Sequence, residues 1–230
     1  MIVSAFRPYF FPYPGYFRRI LSSDVCVILD DVQFPRGPTW ITRNRFKNDQ
    51  GTLWLRVPVW KKGLGFQVIR DVRICHEGTW PRKHLASLNT AYLHAPYLSE
   101  HKSFLETLYV EHYDTIFDMN MEGLNYVLGC LDIRTPLVLC SELGIHEKGS
   151  GLLVEICRRL GADRYLGQVS SERHLDRELF EHSGIELCFM KRHSPVYPQL
   201  WGDFLADLSI LDLLFTCGPM TREIMMGFDD

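Results

Sequence analysis

Ile2-Val3-Ser4-Ala5-Phe6-Arg7-Pro8-Tyr9-Phe10-Phe11-Pro12-Tyr13-Pro14-Gly15-Tyr16-Phe17-Arg18-Arg19-Ile20 is the stretch whose reading decides the fold. It opens with a short apolar run, the pattern of a buried parallel strand. Pro8, Pro12 and Pro14 fix their own φ and push their predecessors out of the helical region, so the loop they punctuate is stiff. Past Gly15, the positions of Tyr16, Phe17, Ile20 and Leu21 predict a short amphipathic helix. Strand, stiff loop and helix N-terminus are the parts with which α/β proteins hold an anion on unpaired backbone N–H groups. Arg7, Tyr9, Pro12, Gly15 and Tyr16 are therefore candidate ligand-loop residues. The competing reading has Phe10, Phe11 and Tyr16 simply packing the sheet edge.

Val25-Cys26-Val27-Ile28-Leu29 is a continuous apolar run, as in a central strand, and ends in Asp30-Asp31. Ligands bind at the carboxyl ends of strands in doubly wound sheets. Asp30 and Asp31, with Gln33 nearby, are candidates to position a Mg²⁺ that accompanies nucleotide phosphates, or to bond a ribose or an amine. A solvated turn, or pairing with the arginines that follow, explains the same residues. Arg43 and Arg45 stand two apart, so an extended chain puts them on one face. Their planar forks suit phosphate or carboxylate. The run 53–59 predicts a third strand, with 68–74 as its antiparallel partner. Lys61-Lys62-Gly63-Leu64-Gly65 between them reads as a mobile lid over phosphates or as a solvated hairpin.

From Thr79 the period becomes helical, and three helices in succession predict a helical insertion over about 78–133. The α/β rhythm resumes with a strand at 137–140, a helix stopped by Gly161, and a strand at 164–167. The turn holding Gly167, Gln168, Ser170 and Ser171 is a second candidate phosphate cradle, although N-capping alone explains one serine. A helix closed by Gly184, a strand at 185–189 and a helix over about 203–215 complete the pattern. The expected fold is α/β: a Rossmann-like, mainly parallel sheet with helices on both faces and a helical insertion.

The 230 residues are 46% apolar with a formal net charge of -3, enough for one α/β domain and without a global field that draws nucleic acid or membrane. No segment has signal-peptide character or approaches the ~20 apolar residues of a membrane span, so a cytoplasmic protein is expected. The 7 cysteines include no Cys-x-x-Cys pair and read as reduced structural thiols. Cys75 beside His76 invites a catalytic reading, but neighbours at a strand end point to opposite faces. His84, His94, His101 and His112 lack the spacing of metal pairs.

Pro8-Tyr9-Phe10-Phe11-Pro12-Tyr13-Pro14-Gly15-Tyr16-Phe17 resembles the opening signature of the WbqC-like proteins, which place Gln-Pro before the aromatic loop. Leu29-Asp30-Asp31-Val32-Gln33-Phe34, Trp40-Ile41-Thr42-Arg43-Asn44-Arg45-Phe46, Trp80-Pro81-Arg82-Lys83-His84 and Leu160-Gly161-Ala162-Asp163-Arg164-Tyr165-Leu166 carry the likeness over nearly the whole chain. It implies a single domain over 1–230 associated with the biosynthesis of surface polysaccharides and specialised metabolites. It also adds Asn44 to the candidate binding residues and His84 to the candidate catalytic ones. Arg7 departs from the glutamine usual in these proteins, and Ser171 from a glycine, changes that bear on ligand or activity. In outline the expected fold is also similar to class I nucleotidyltransferases and adenylate-forming ligases such as pantothenate synthetase. Tyr13-Pro14-Gly15-Tyr16 stands where those have His-x-Gly-His, so their phosphate-binding histidine pair is not carried over.

The leading expectation is an enzyme that uses ATP or another nucleotide with Mg²⁺ to activate a small carboxylate and transfer it to an amine or hydroxyl. Its small-molecule partners would include an amino acid or a nucleotide sugar. The alternatives are an acyl or aminoacyl transferase acting on a nucleotide sugar without ATP, and a non-catalytic binding module of a biosynthetic complex.

Overall fold

The computed structural model describes residues 1–191 and 193–227. In chain order the elements are β1 (Ile2–Phe6), α1 (Pro14–Leu21), β2 (Val25–Ile28), β3 (Arg43–Asn48), β4 (Gly51–Arg56), α2 (Trp80–Ala91), α3 (Leu98–Val110) and α4 (Ile116–Cys130). They continue with β5 (Leu137–Leu139), α5 (Gly149–Leu160), β6 (Arg164–Gln168), α6 (Arg177–His182), β7 (Glu186–Met190), α7 (Ile210–Cys217) and α8 (Thr221–Met226). The chain divides into two units, one of residues 1–7, 15–32 and 133–193, the other of 8–14, 33–132 and the described residues from 194 on.

Unit 1 is a five-stranded parallel sheet in the order β5-β2-β1-β6-β7. Taking these five strands by themselves, the first-formed is central and the order reverses beside it, the doubly wound arrangement of a Rossmann-like fold. Alternation along β1 explains the two covered faces. Val3 and Ala5 join a core with Leu153, Ile156 and Cys157 of α5 and Phe180 of α6. Phe6 points to the other side, where its ring meets Tyr16 of α1 at 4.7 Å between centroids. The helices therefore flank the sheet as the apolar runs predict.

Unit 2 holds the hairpin β3-β4, paired antiparallel from Arg43↔Arg56 to Asn48↔Gly51, and helices α2, α3, α4, α7 and α8. The three helices expected over 78–133 are present. No strand forms over 68–74, where a 3-10 turn spans Ile69–Asp71; of the expected antiparallel pairing only the bridge Val59↔Ile74 is present, and β4 takes β3 as its partner. The last long helix begins at Ile210, not near 203, because Trp201 and Asp207 hold positive φ (60° and 54°) and turn the chain; Ser209 Oγ then caps it by accepting from the Leu211 N–H at 3.3 Å. The proline-aromatic bend 8–14 belongs to this unit. Phe10 and Phe11 are buried in it, and the Pro12 carbonyl accepts from the Ile210 N–H at 2.8 Å.

Candidate functional site

In unit 1 the order reverses between β1 and β6, and there the ladder is short. The two strands pair at Ile2↔Arg164 and Val3↔Tyr165, whereas β1 and β2 stay in register through Phe6↔Ile28. Toward the carboxyl edge, side chains take over from the ladder. Ser4 Oγ donates to the Leu166 carbonyl at 2.9 Å, and the Arg19 guanidinium reaches the carbonyls of Ala5 (3.2 Å) and Leu166 (3.4 Å). Arg19 is buried, lies 3.8 Å over the Phe6 ring, and keeps a buried Nε without a hydrogen-bond partner. Among the described residues no carboxylate stands within ion-pair distance of it. A buried cation without a counter-charge is expensive, and the aromatic face offsets only part of that cost. Beside it, burial pushes the Tyr165 hydroxyl pKa up while the Arg19 charge pulls it back.

The sequence-derived candidates at this edge separate into clear roles. Arg7 follows β1 with an exposed side chain. Tyr16 is a core residue whose hydroxyl donates to the Arg7 carbonyl at 3.1 Å, and Gly15 occupies the first turn of α1. Gly167 is buried against the Phe189 ring, from which an added Cβ would lie 3.2 Å, a tight contact to which the ring would have to give. Gln168 leads into a 3-10 turn, Val169–His174; Ser171 closes it by donating to the Gln168 carbonyl at 2.6 Å, and Ser170 is exposed.

At the ends of β2 and β5, Asp30 is 1% exposed and its Oδ1 accepts from the Ser141 N–H at 2.9 Å, tying the two strand ends together. Asp31 is half-buried beside Cys140, whose thiol is pushed up to about 12 by burial, by its hydrogen bond to Asp31 and by both carboxylates. Among the described residues no three His, Cys, Asp or Glu side chains gather as a metal site, so a Mg²⁺ here would draw its remaining oxygens from a phosphate ligand.

The remaining candidates lie in unit 2. Asn44 Nδ2 donates to the carbonyls of Phe10 (3.0 Å) and Phe11 (2.5 Å), holding Phe11 at φ 42°, and Pro12 is buried beside them while Tyr9 is half-buried. Asn44 thus shapes the bend. Arg45 donates from Nη2 to the carbonyls of Ala206 and Asp207, both at 3.1 Å. Arg43 lies 4.4 Å over the exposed ring of Trp54. Gln33 is exposed and bridges to Val68. His84 is buried among Trp80, Tyr109 and Phe10, and burial lowers its pKa to about 4 against a weaker opposing hydrogen bond to the Arg56 backbone. At neutral pH its ring is an uncharged part of an aromatic cluster.

Three important groups escaped the sequence reading. Arg19 stands in the opening stretch, where it is assigned no role. Asn120, buried in α4, donates to the carbonyls of Pro8 and Ile41, both at 2.8 Å; an asparagine on the apolar stripe of a helix was the available signal. Asp212 is buried in α7 and accepts from Tyr92 (2.7 Å) and Tyr197 (2.8 Å); burial raises its pKa, against those hydrogen bonds and the charge of buried Lys47.

Comparison with known proteins adds kinship. A family model described as the WbqC-like protein family matches residues 7–224. The uncharacterized protein Rv1507c of Mycobacterium tuberculosis is 32% identical over 219 residues, covering 94% of each chain. No solved structure matches.

Proposed function

The chain belongs to the WbqC-like protein family, and from that premise we propose that it is a biosynthetic enzyme whose unit 1 binds the phosphates of a nucleotide at the reversal of strand order. The reaction is activation of a small carboxylate: its oxygen attacks the α-phosphorus, pyrophosphate leaves, and an amine or hydroxyl then displaces the nucleoside monophosphate from the mixed anhydride. One observation carries the reading, the buried Arg19 guanidinium without a carboxylate partner where β1 and β6 part. An anionic ligand would compensate that charge, and such crevices are where doubly wound sheets take their ligands. Arg7 supplies a second cation after β1, and Ser170 a hydroxyl after β6. Asp31 would hold Mg²⁺ together with the phosphates, while Asp30 fixes the strand ends around it. Stabilisation of developing charge by fixed cations is the catalytic contribution expected of such a site.

The pyrophosphate of a nucleotide sugar offers Arg19 the same charges, so acyl transfer to a nucleotide sugar is the second reading. Calorimetry with ATP, ADP and a uridine diphosphate sugar, with and without Mg²⁺, tests both. Binding that falls about tenfold in Arg7→Ala supports the site. Pyrophosphate release on adding candidate acids selects the ligase, and binding of the nucleotide sugar alone selects the transferase. Absence of binding to every nucleotide rejects the proposal.

A further inference from the structure

Between Val32 and Arg70 the chain carries seven Lys and Arg side chains against one acid, Asp49, although the whole chain has a net charge of -3. The same segment exposes large apolar side chains. In the loop after β4, Trp60 is 44%, Leu64 52% and Phe66 68% exposed, with Lys61 and Lys62 among them. Gly63 and Gly65, both at positive φ (80° and 65°), turn the chain tightly at the tip. The loop is anchored at its base: the Phe34 N–H donates to the Gln67 carbonyl at 2.9 Å, and Gln33 bridges to Val68. That anchoring brings Arg36 over the Phe66 ring at 4.2 Å and Lys61 Nζ over the Phe34 ring at 4.6 Å. Arg36 therefore lies against the apolar tip, Lys61 at the buried base of the loop, and Lys62 is exposed between them.

Single exposed apolar residues need no explanation, but three on one short loop, beside cations, have a physical complement. An amphipathic element of this composition settles at the boundary of a bilayer, with aromatic and aliphatic groups among the acyl chains and Lys and Arg at lipid phosphates. Leu64 favours the bilayer over a nucleic acid: bases can stack on the Trp60, Phe66 and Arg36 planes, but the aliphatic side chain between them has its complement only in acyl chains. We propose that the loop 60–66, with Arg36, is a docking element for an anionic membrane surface, on which this protein sits peripherally. The proposal is independent of the nucleotide site in unit 1.

The test is co-sedimentation of the full chain with phosphatidylcholine vesicles containing about 30% phosphatidylglycerol, a mixture that gives an anionic surface. Partition into these vesicles is expected, with little into pure phosphatidylcholine and release at about 0.5 M salt, where surface charges are screened. Leu64→Ser with Phe66→Ser should lower partition about tenfold, while Lys61→Glu with Lys62→Glu should lower it at least about fivefold per charge. Leu64, Phe66 and Lys62 are exposed, so the first pair and Lys62→Glu alone should keep the melting temperature of the unaltered protein, whereas Lys61→Glu, at a half-buried position over Phe34, carries a cost in stability. No partition into anionic vesicles overturns the proposal, as does partition that neither pair alters. Retention by a single-stranded oligonucleotide without vesicle binding, or self-association abolished by Leu64→Ser with Phe66→Ser, also overturns it.

Discussion

The side-chain amide of Asn120 donates to the carbonyl of Pro8, 112 residues away, at 2.8 Å, and the same nitrogen also serves Ile41. The bend therefore has a fixed shape through a buried donor and not through proline alone. Asn120→Ala should cost about 3 kcal/mol of unfolding free energy, since two carbonyls lose their donor and a space opens. Urea denaturation measures it. A loss below about 1 kcal/mol would show that the bend keeps its form by itself.

Arg43 and Arg45 look alike in sequence and differ in surroundings. Arg45→Ala should destabilise by about 2 kcal/mol, because its guanidinium holds two backbone carbonyls. Arg43→Ala should lose at most about 1 kcal/mol, the worth of a half-buried cation over the exposed Trp54 ring. Parallel thermal melts of the two variants decide this, and the reverse ranking would contradict the assignment.

His84 makes folding pH-dependent. Its pKa falls from 6.5 to about 4 on folding, so the folded state binds its proton less readily than the unfolded chain. A depressed folded pKa contributes stability that is complete above 6.5 and is lost as pH falls through about 4. The full effect is about 3 kcal/mol at 1.36 kcal/mol per pKa step. His101, also lowered by burial, acts in the same direction, so the readout is the difference between the unaltered chain and His84→Gln. That difference should shrink as the pH is lowered across this window.

Gly218 holds φ 51° and ψ -123°, and a Cβ there would sit 2.5 Å from the Tyr97 ring. Gly218→Ala should cost more than about 3 kcal/mol, combining backbone strain with a steric clash. Calorimetric melting would register a drop of many degrees, and an unchanged melting temperature would refute this account.

Two strands of the parallel sheet were legible because Val25–Ile28 is a continuous apolar run and Ile2–Phe6 is broken only by Ser4, the pattern of sheets buried on both faces. The strand Arg43–Asn48 was not, since Arg, Asn and Lys dominate it. Its polar side chains are buried through partners distant in sequence: Lys47 Nζ donates to Gln199 and to the Asp203 carbonyl, and Asn44 to the bend. Such pairing leaves no local pattern. At the candidate site, the strand-end rule located Arg7 and the turn after β6. Arg19 could not be found that way, because its significance arises only where β1 and β6 separate.

The hydrogen bond from Ile210 to Pro12 bears on how the polypeptide matures at the ribosome. The bend is made 198 residues (210 − 12) before the partner that satisfies it. The sheet likewise waits for residue 164 before β1 gains its second neighbour. Both segments therefore persist unsatisfied while the intervening residues are made, a circumstance in which sticky intermediates accumulate and folding helpers matter. Shortened products ending before α7 should be insoluble.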